Sequence, residues 1–156
     1  MDVAYFATPI GIAEISGDEN GIAIISILQN GELSTIIPEN LKAPITQLND
    51  YFEGKRTDFD FKLNPKGTEF QRKVWEELLN IPFGKTMSYL DLSKKLGDVK
   101  AIRAVASANG KNPLWIVIPC HRVIGTDGSL TGYAGGLWRK KWLLEHESPS
   151  QQQSLF

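Results

Sequence analysis

Along the first third of the chain the apolar residues fall in short runs, some continuous and some alternating, broken by turn-forming residues. Residues 3–6, 11–16 and 21–28 form three such runs, separated by Gly, Asp and Asn. That is the pattern of short strands joined by tight turns. The period then changes. Between residues 43 and 52 the side chains of Ile45, Leu48, Tyr51 and Phe52 recur at helical spacing, with Gly54 just beyond, which predicts a helix and its end. Asn64-Pro65-Lys66-Gly67 interrupts both periods and marks a domain boundary.

Beyond it the pattern is helical. Thr68-Glu69-Phe70-Gln71 has the form of a capping box and opens a helix whose apolar side carries Phe70, Val74, Trp75, Leu78 and Leu79. A loop over 81–85 leads to a second capping box, Ser88-Tyr89-Leu90-Asp91, and a short helix ending at Gly97. A third helix is predicted over 99–108. Two short helices around a Gly-containing turn have the sequence form of a helix-turn-helix. Any helix–helix corner reads the same way, so this pattern alone leaves nucleic-acid binding open. A last helix over 138–147 is predicted to pack through Leu137, Trp142, Leu143 and Leu144. The expected fold is therefore α+β in two lobes. A small N-terminal domain of β-sheet and helix (1–63) precedes a helical, winged helix-turn-helix domain (64–147), and a polar tail (148–156) is expected to be disordered.

Composition narrows the class. A chain of 156 residues with 42% hydrophobic positions can bury a core without disulfides or metals. A single Cys excludes an internal disulfide and any multi-cysteine metal cage, so no metal site is expected. The first residues lack the basic start of a secretory signal, and the strongest apolar run, 22–28, is too short to cross a bilayer. A soluble, cytoplasmic monomer is expected. The net charge of −1 hides an asymmetry: residues 1–61 hold three basic and ten acidic side chains, whereas 100–141 hold seven basic ones and only Asp127 as an acid. Such a split suits a polyanion partner for the second lobe, and equally a solvated lysine surface.

The densest chemistry lies at residues 112–125, Asn-Pro-Leu-Trp-Ile-Val-Ile-Pro-Cys-His-Arg-Val-Ile-Gly. The run places Cys120 at the end of a buried extended segment, directly before His121 and Arg122. A thiol reacts as its thiolate, and neighbouring cations or an imidazole lower its pKa from about 8.5 toward 7. Cys120 is thus a candidate nucleophile, although a lone buried Cys without further pattern is more often an inert packing residue.

Pro119-Cys120-His121-Arg122-Val123 resembles the active-site motif of the O6-alkylguanine-DNA alkyltransferases, the methylated-DNA–protein-cysteine methyltransferases. The resemblance runs continuously from about residue 65 to 147, and more loosely through Thr8-Pro9-Ile10-Gly11 in the first lobe. It implies direct, irreversible transfer of a methyl or other alkyl group from O6-alkylguanine, and from O4-methylthymine, in duplex DNA to Cys120, once per molecule and without a cofactor. His121 is then the base, acting through water, and Glu147 orients its imidazole. The resemblance further implies that the target base is rotated out of the duplex from the minor groove. Arg103 would fill the gap, with Ala104 and Ser107 on the same DNA-facing helix. Tyr89 would push the backbone and bond the guanine. Asn112 is the family's hinge residue. The carbonyls of Cys120 and Val123 receive the guanine amino group, and Tyr133 and the N–H of Ala134 face the base. Arg122 is expected to tie the two lobes together. Trp115 and Thr131 are bulkier than the residues many relatives carry around the alkyl pocket, which counts against large adducts such as benzyl.

Two alternatives stand beside this. A non-catalytic winged-helix module for DNA or lesions explains the helices and the charge but not Cys120 beside His121. A cysteine redox enzyme lacks a second, resolving Cys. Finally, Gln152-Gln153-Ser154-Leu155-Phe156 resembles the pentapeptide with which bacterial proteins bind the replication sliding clamp, departing from it at Gln153, so a clamp partner is expected through residues 152–156.

Overall fold

The computed structural model describes residues 1–148, and the clamp-like pentapeptide lies outside them. The chain divides into two compact units, Met1–Lys66 with Pro113–Val117, and Gly67–Asn112 with the residues from Ile118 onward.

In the first unit β1 (Asp2–Thr8), β2 (Gly11–Asp18) and β3 (Gly21–Leu28) form an antiparallel sheet in that order. Alternation explains its two faces: Ala4, Phe6, Ala13, Ile15, Ile25 and Ile27 are buried, while Val3, Ile24 and Leu28 are exposed. The register shifts between Ser16 and Gly17. Only glycine fits at that bulge, because a Cβ on Gly17 would lie 2.7 Å from the carbonyl oxygen of Gly21. Helix α1 (Glu39–Phe52) covers the sheet through Leu41, Pro44, Ile45, Leu48 and Tyr51. It starts four residues before the predicted 43–52, behind Pro38 as its N-cap. Pro44 hid those first turns: a proline inside a helix removes one backbone donor, yet here its ring is part of the buried face. The edge strand β3 is extended by single parallel bridges, Ile22 to Leu63 and Ile25 to Leu114.

In the second unit α2 (Glu69–Leu78) begins at Thr68 with both halves of the capping box formed. Its buried side is Val74, Trp75 and Leu78. Phe70 and Leu79, predicted on that side, are 39% and 47% exposed; they stand in the first turn and at the C-cap, at the ends of the buried stripe. The Trp75 ring packs against Gly67, and its Nε1 donates to the carbonyl of Ala108 at 2.8 Å. Helix α3 (Tyr89–Lys95) starts at Ser88, whose hydroxyl accepts from the Asp91 N–H; this is half of the predicted box. The third helix divides into a 3-10 turn, Val99–Ala101, and α4 (Ile102–Gly110). Strand β4 (Met87–Ser88) pairs in parallel with β5 (Val123–Ile124) over two residues.

Helix α5 (Leu137–Glu147) overturns the prediction of its packing face. Leu137 is 51% exposed, and Trp142 and Leu144 are half-buried. The fully inward residues are Lys140, Leu143 and Glu147, so two charged side chains lie on the buried face.

Candidate active site

The apolar run before Cys120 is not a strand. Val117 N–H donates to the Trp115 carbonyl at 2.8 Å across Ile116, whose φ is +75°. Cys120 N–H donates to the Ile118 carbonyl at 2.8 Å across Pro119, with φ −82° and ψ +62°. These are γ-turns of opposite hand, and they replace the expected extended segment. The backbone after Pro119 winds into a 3-10 turn, Cys120–Arg122, whose three residues are all buried. Asn112 Nδ2 holds the Ile118 carbonyl at 2.7 Å, so it fixes the chain two residues before the thiol.

Around the 3-10 turn the charges are paired. His121, with no exposed surface, meets Glu147 Oε2 through Nε2 at 2.8 Å. Arg122 grips the same carboxylate twice, Nε to Oε1 at 2.7 Å and Nη2 to Oε2 at 3.0 Å. Its Nη1 donates to the Ile81 carbonyl at 2.7 Å. Through these bonds the guanidinium organises the Glu147 carboxylate. Burial alone would raise the Glu147 carboxyl, but the hydrogen bonds and charges of His121 and Arg122 outweigh it and hold it well below the usual range. Burial lowers the His121 pKa despite Glu147, so the ring is neutral at pH 7. A neutral imidazole beside an ionised carboxylate must place its proton on Nε2. Nδ1 therefore carries the lone pair, and it has no hydrogen-bond partner among the described residues.

The thiol itself differs from the expectation. Cys120 is 4% exposed. Burial pushes its pKa up to about 11, while the Asn112 amide and the Lys140 charge pull it down less strongly. The cation beside it in sequence, Arg122, is spent on Glu147. The resting group is a protonated thiol that needs a base.

Sequence reasoning missed two residues. Lys140, fully buried, donates to the Val123 carbonyl at 2.6 Å and the Thr131 carbonyl at 2.7 Å. Burial lowers its pKa to about 8, against the raising effect of Cys120. It read as one member of a basic stretch, and only its i, i+7 spacing from Glu147 pointed inward. Asn109 read as part of a small-residue helix. It is 1% exposed, and its Nδ2 lies 3.4 Å from both the Tyr89 hydroxyl and the Cys120 carbonyl.

Beside these groups lies a cavity of about 580 Å³ lined by Tyr89, Arg103, Ala106, Thr131, Tyr133 and Ala134, among others. Thus the predicted Tyr89, Arg103, Tyr133 and Ala134 converge on one space. Arg103, Ala104 and Ser107 share the exposed face of α4. The Val123 carbonyl, expected to face the base, accepts from Lys140 Nζ with one of its two lone pairs. Trp115 lies in the segment that belongs to the first unit and is not among the cavity's lining residues, whereas Thr131 is. Among the described residues no group of three or more His, Cys, Asp or Glu could hold a metal ion, and no helix is long and apolar enough to cross a membrane.

Comparison with known proteins gives this geometry its context. The model of the 6-O-methylguanine DNA methyltransferase DNA binding domain matches residues 69–149. That of the 6-O-methylguanine DNA methyltransferase ribonuclease-like domain matches residues 1–65. A methylated-DNA–protein-cysteine methyltransferase of Methanosarcina acetivorans is 43% identical over 154 residues, 94% of this chain and 98% of that one. Its namesake from Mycobacterium tuberculosis is 45% identical over 145 residues, 90% of this chain and 88% of that one. The crystal structure of Mycobacterium tuberculosis OGT in complex with DNA superposes with a TM-score of 0.83 at 40% identity, covering 95% of each chain. With both halves matched by its models and full-length relatives well above 30% identity, the chain belongs to the 6-O-methylguanine DNA methyltransferase family.

Proposed function

We propose that this protein repairs DNA by moving the alkyl group of an O6-alkylguanine in duplex DNA onto the sulfur of Cys120. The observation that carries the reading is the buried chain Arg122–Glu147–His121, which leaves one imidazole nitrogen basic beside a protonated thiol. Nδ1 of His121 takes the thiol proton through water. The sulfur then forms its bond to the alkyl carbon as the carbon–O6 bond breaks, in line, within a site that fixes both partners. The electron pair leaves with the guanine oxygen, and a proton returned from the imidazole leaves unmodified guanine. In net terms the thiol proton replaces the alkyl group. The product is a thioether with no leaving group available for its reversal, so each molecule acts once.

The target must leave the stack to be reached. We assign this work to the domain of residues 64–147. The exposed face of α4, with Ala104 and Ser107 flanking Arg103, is small enough to enter a minor groove, with Arg103 standing in for the extruded base. Tyr89 and Tyr133 flank the base, the Ala134 N–H faces it, and the Cys120 and Val123 carbonyls take its amino group beside the hinge residue Asn112. Phosphate and shape contacts outweigh base-edge readout, since repair must serve every sequence. O4-methylthymine is a second substrate on this reading, and the exposed Thr131 in the cavity wall counts against large adducts such as benzyl. We place the reaction in the cytoplasm and assign residues 152–156 to a sliding-clamp partner by their peptide pattern. Loss of clamp binding on deleting Leu155 and Phe156 tests that partner; unchanged binding rules it out.

The reaction is tested with a duplex radiolabelled in the O6-methyl group. Label should pass to the protein in the wild type and stay in the DNA with Cys120→Ser. Label moving equally to the serine variant would remove Cys120 as acceptor.

A further inference from the structure

We propose that Asn109 is a positioning residue for alkyl transfer: its amide fixes the Tyr89 hydroxyl against the turn that carries Cys120, so that a base resting on Tyr89 meets the sulfur in line. This rests on the alkyl-transfer reading above. Asn109 stands in the last turn of α4, 1% exposed. Its Nδ2 lies 3.4 Å from the Tyr89 hydroxyl and 3.4 Å from the Cys120 carbonyl. A carbonyl oxygen can only accept, so Nδ2 must face it, and that sets the orientation of the amide. With Nδ2 so placed, the Tyr89 oxygen accepts as well. One side chain thereby joins three elements that are separate in sequence: the first residue of α3, the last turn of α4 and the 3-10 turn Cys120–Arg122.

Packing does not account for this side chain. Oδ1 has no hydrogen-bond partner among the described residues, and a buried acceptor left unpaired is uncommon in folded proteins. An apolar side chain of similar size would fill the space without that cost; the two bonds from Nδ2 are what the amide adds. Tyr89 belongs to the cavity wall, whereas Asn109 is not among its lining residues, so Asn109 acts through Tyr89 rather than on a base itself. Burial raises the Tyr89 pKa, the Asn109 bond lowers it and the charge of Cys120 raises it again, which puts the phenol within electrostatic reach of the sulfur. In-line attack needs the sulfur and the alkyl carbon closely aligned, and a misplacement of about 1 Å can cost about a hundredfold in rate. Side chains at a reacting centre hold such geometry when packing and hydrogen bonds lock them from behind.

The test is a double-mutant cycle on single-turnover transfer from a duplex carrying O6-methylguanine, with Asn109→Ala, Tyr89→Phe and the two combined. Rate against protein concentration separates the saturating rate from the half-saturating concentration. Asn109→Ala should lower the saturating rate by about tenfold or more and change the half-saturating concentration by less than about twofold. In the Tyr89→Phe background, where no hydroxyl is left to hold, the same substitution should cost several-fold less. Asn109→Leu, which keeps the volume and donates nothing, replaces alanine in the cycle if the alanine variant fails to fold. Equal losses in both backgrounds would overturn the proposal, since the amide would then act independently of Tyr89. A loss confined to the half-saturating concentration, or no loss at all, would overturn it too. Failure of the alkyl-transfer reading itself looks different: no methyl would reach the wild-type protein from O6-methylguanine.

Discussion

Glu147 accepts from Nε2 of His121 at 2.8 Å while Arg122 holds both carboxylate oxygens. That single relationship settles the tautomer of the imidazole. A carboxylate ionised by a bidentate guanidinium cannot donate, so Nε2 does, and the basic lone pair sits on Nδ1.

Glu147→Gln therefore breaks more than a contact. The amide offers a donor to the ring and leaves the buried guanidinium without its counter-charge. Breaking such a pair costs about 3–5 kcal/mol, and misplacing the ring proton slows a base-assisted reaction by orders of magnitude. The expected outcome is a melting temperature lower by several degrees and a transfer rate down by about a hundredfold or more. Thermal unfolding and quench-flow transfer measure the two effects separately.

Acid should unfold the protein in two stages. The folded pKa values of His121 and Glu147 both lie below their ordinary values of 6.5 and 4.5. The unfolded chain thus binds more protons in each window, and stability rises with pH there. Both contributions are complete above pH 6.5. Lowering the pH first removes the histidine contribution and, below about 4.5, that of the carboxylate. Urea midpoints against pH should show this decline, and Glu147→Gln should lack its lower stage.

Lys140 is predicted to tune the thiol. Its charge is among the influences that lower the Cys120 pKa, so Lys140→Met should raise that pKa further. One unit is a tenfold loss of thiolate, and the transfer rate at neutral pH should fall by about that factor, with its profile displaced to higher pH. The variant also leaves the carbonyls of Val123 and Thr131 without their donor, at about 1–3 kcal/mol of stability.

Arg103 stands on the exposed face of α4. Arg103→Ala should slow transfer from duplex DNA by about tenfold while changing the rate on a single-stranded lesion little, since no base need be held out of a stack there. Equal losses on both substrates would count against a role in filling the duplex.

Much of the fold was legible because local rules agree with it. The three strands follow from alternation, and Thr68 with Gln71 announces the start of α2. What was not legible has particular causes. Pro44 hid the start of α1, since a buried proline inside a helix looks like a boundary. The γ-turns at Ile116 and Pro119 lie in a run of apolar residues that reads as a strand. Lys140, Glu147 and Asn109 are polar residues whose burial is licensed only by partners distant in sequence, which periodicity cannot show. The motif at Cys120 pointed to the proposed nucleophile, but its high pKa depends on burial that local sequence does not reveal.

The central claim is that Cys120 is a once-only acceptor. Equimolar protein and duplex carrying one O6-methylguanine should give an intact-mass gain of one methylene, saturating at one per chain even with excess DNA, and a peptide map should place it on Cys120. Lesion binding with no change of mass, or a methyl on another residue, would contradict the account.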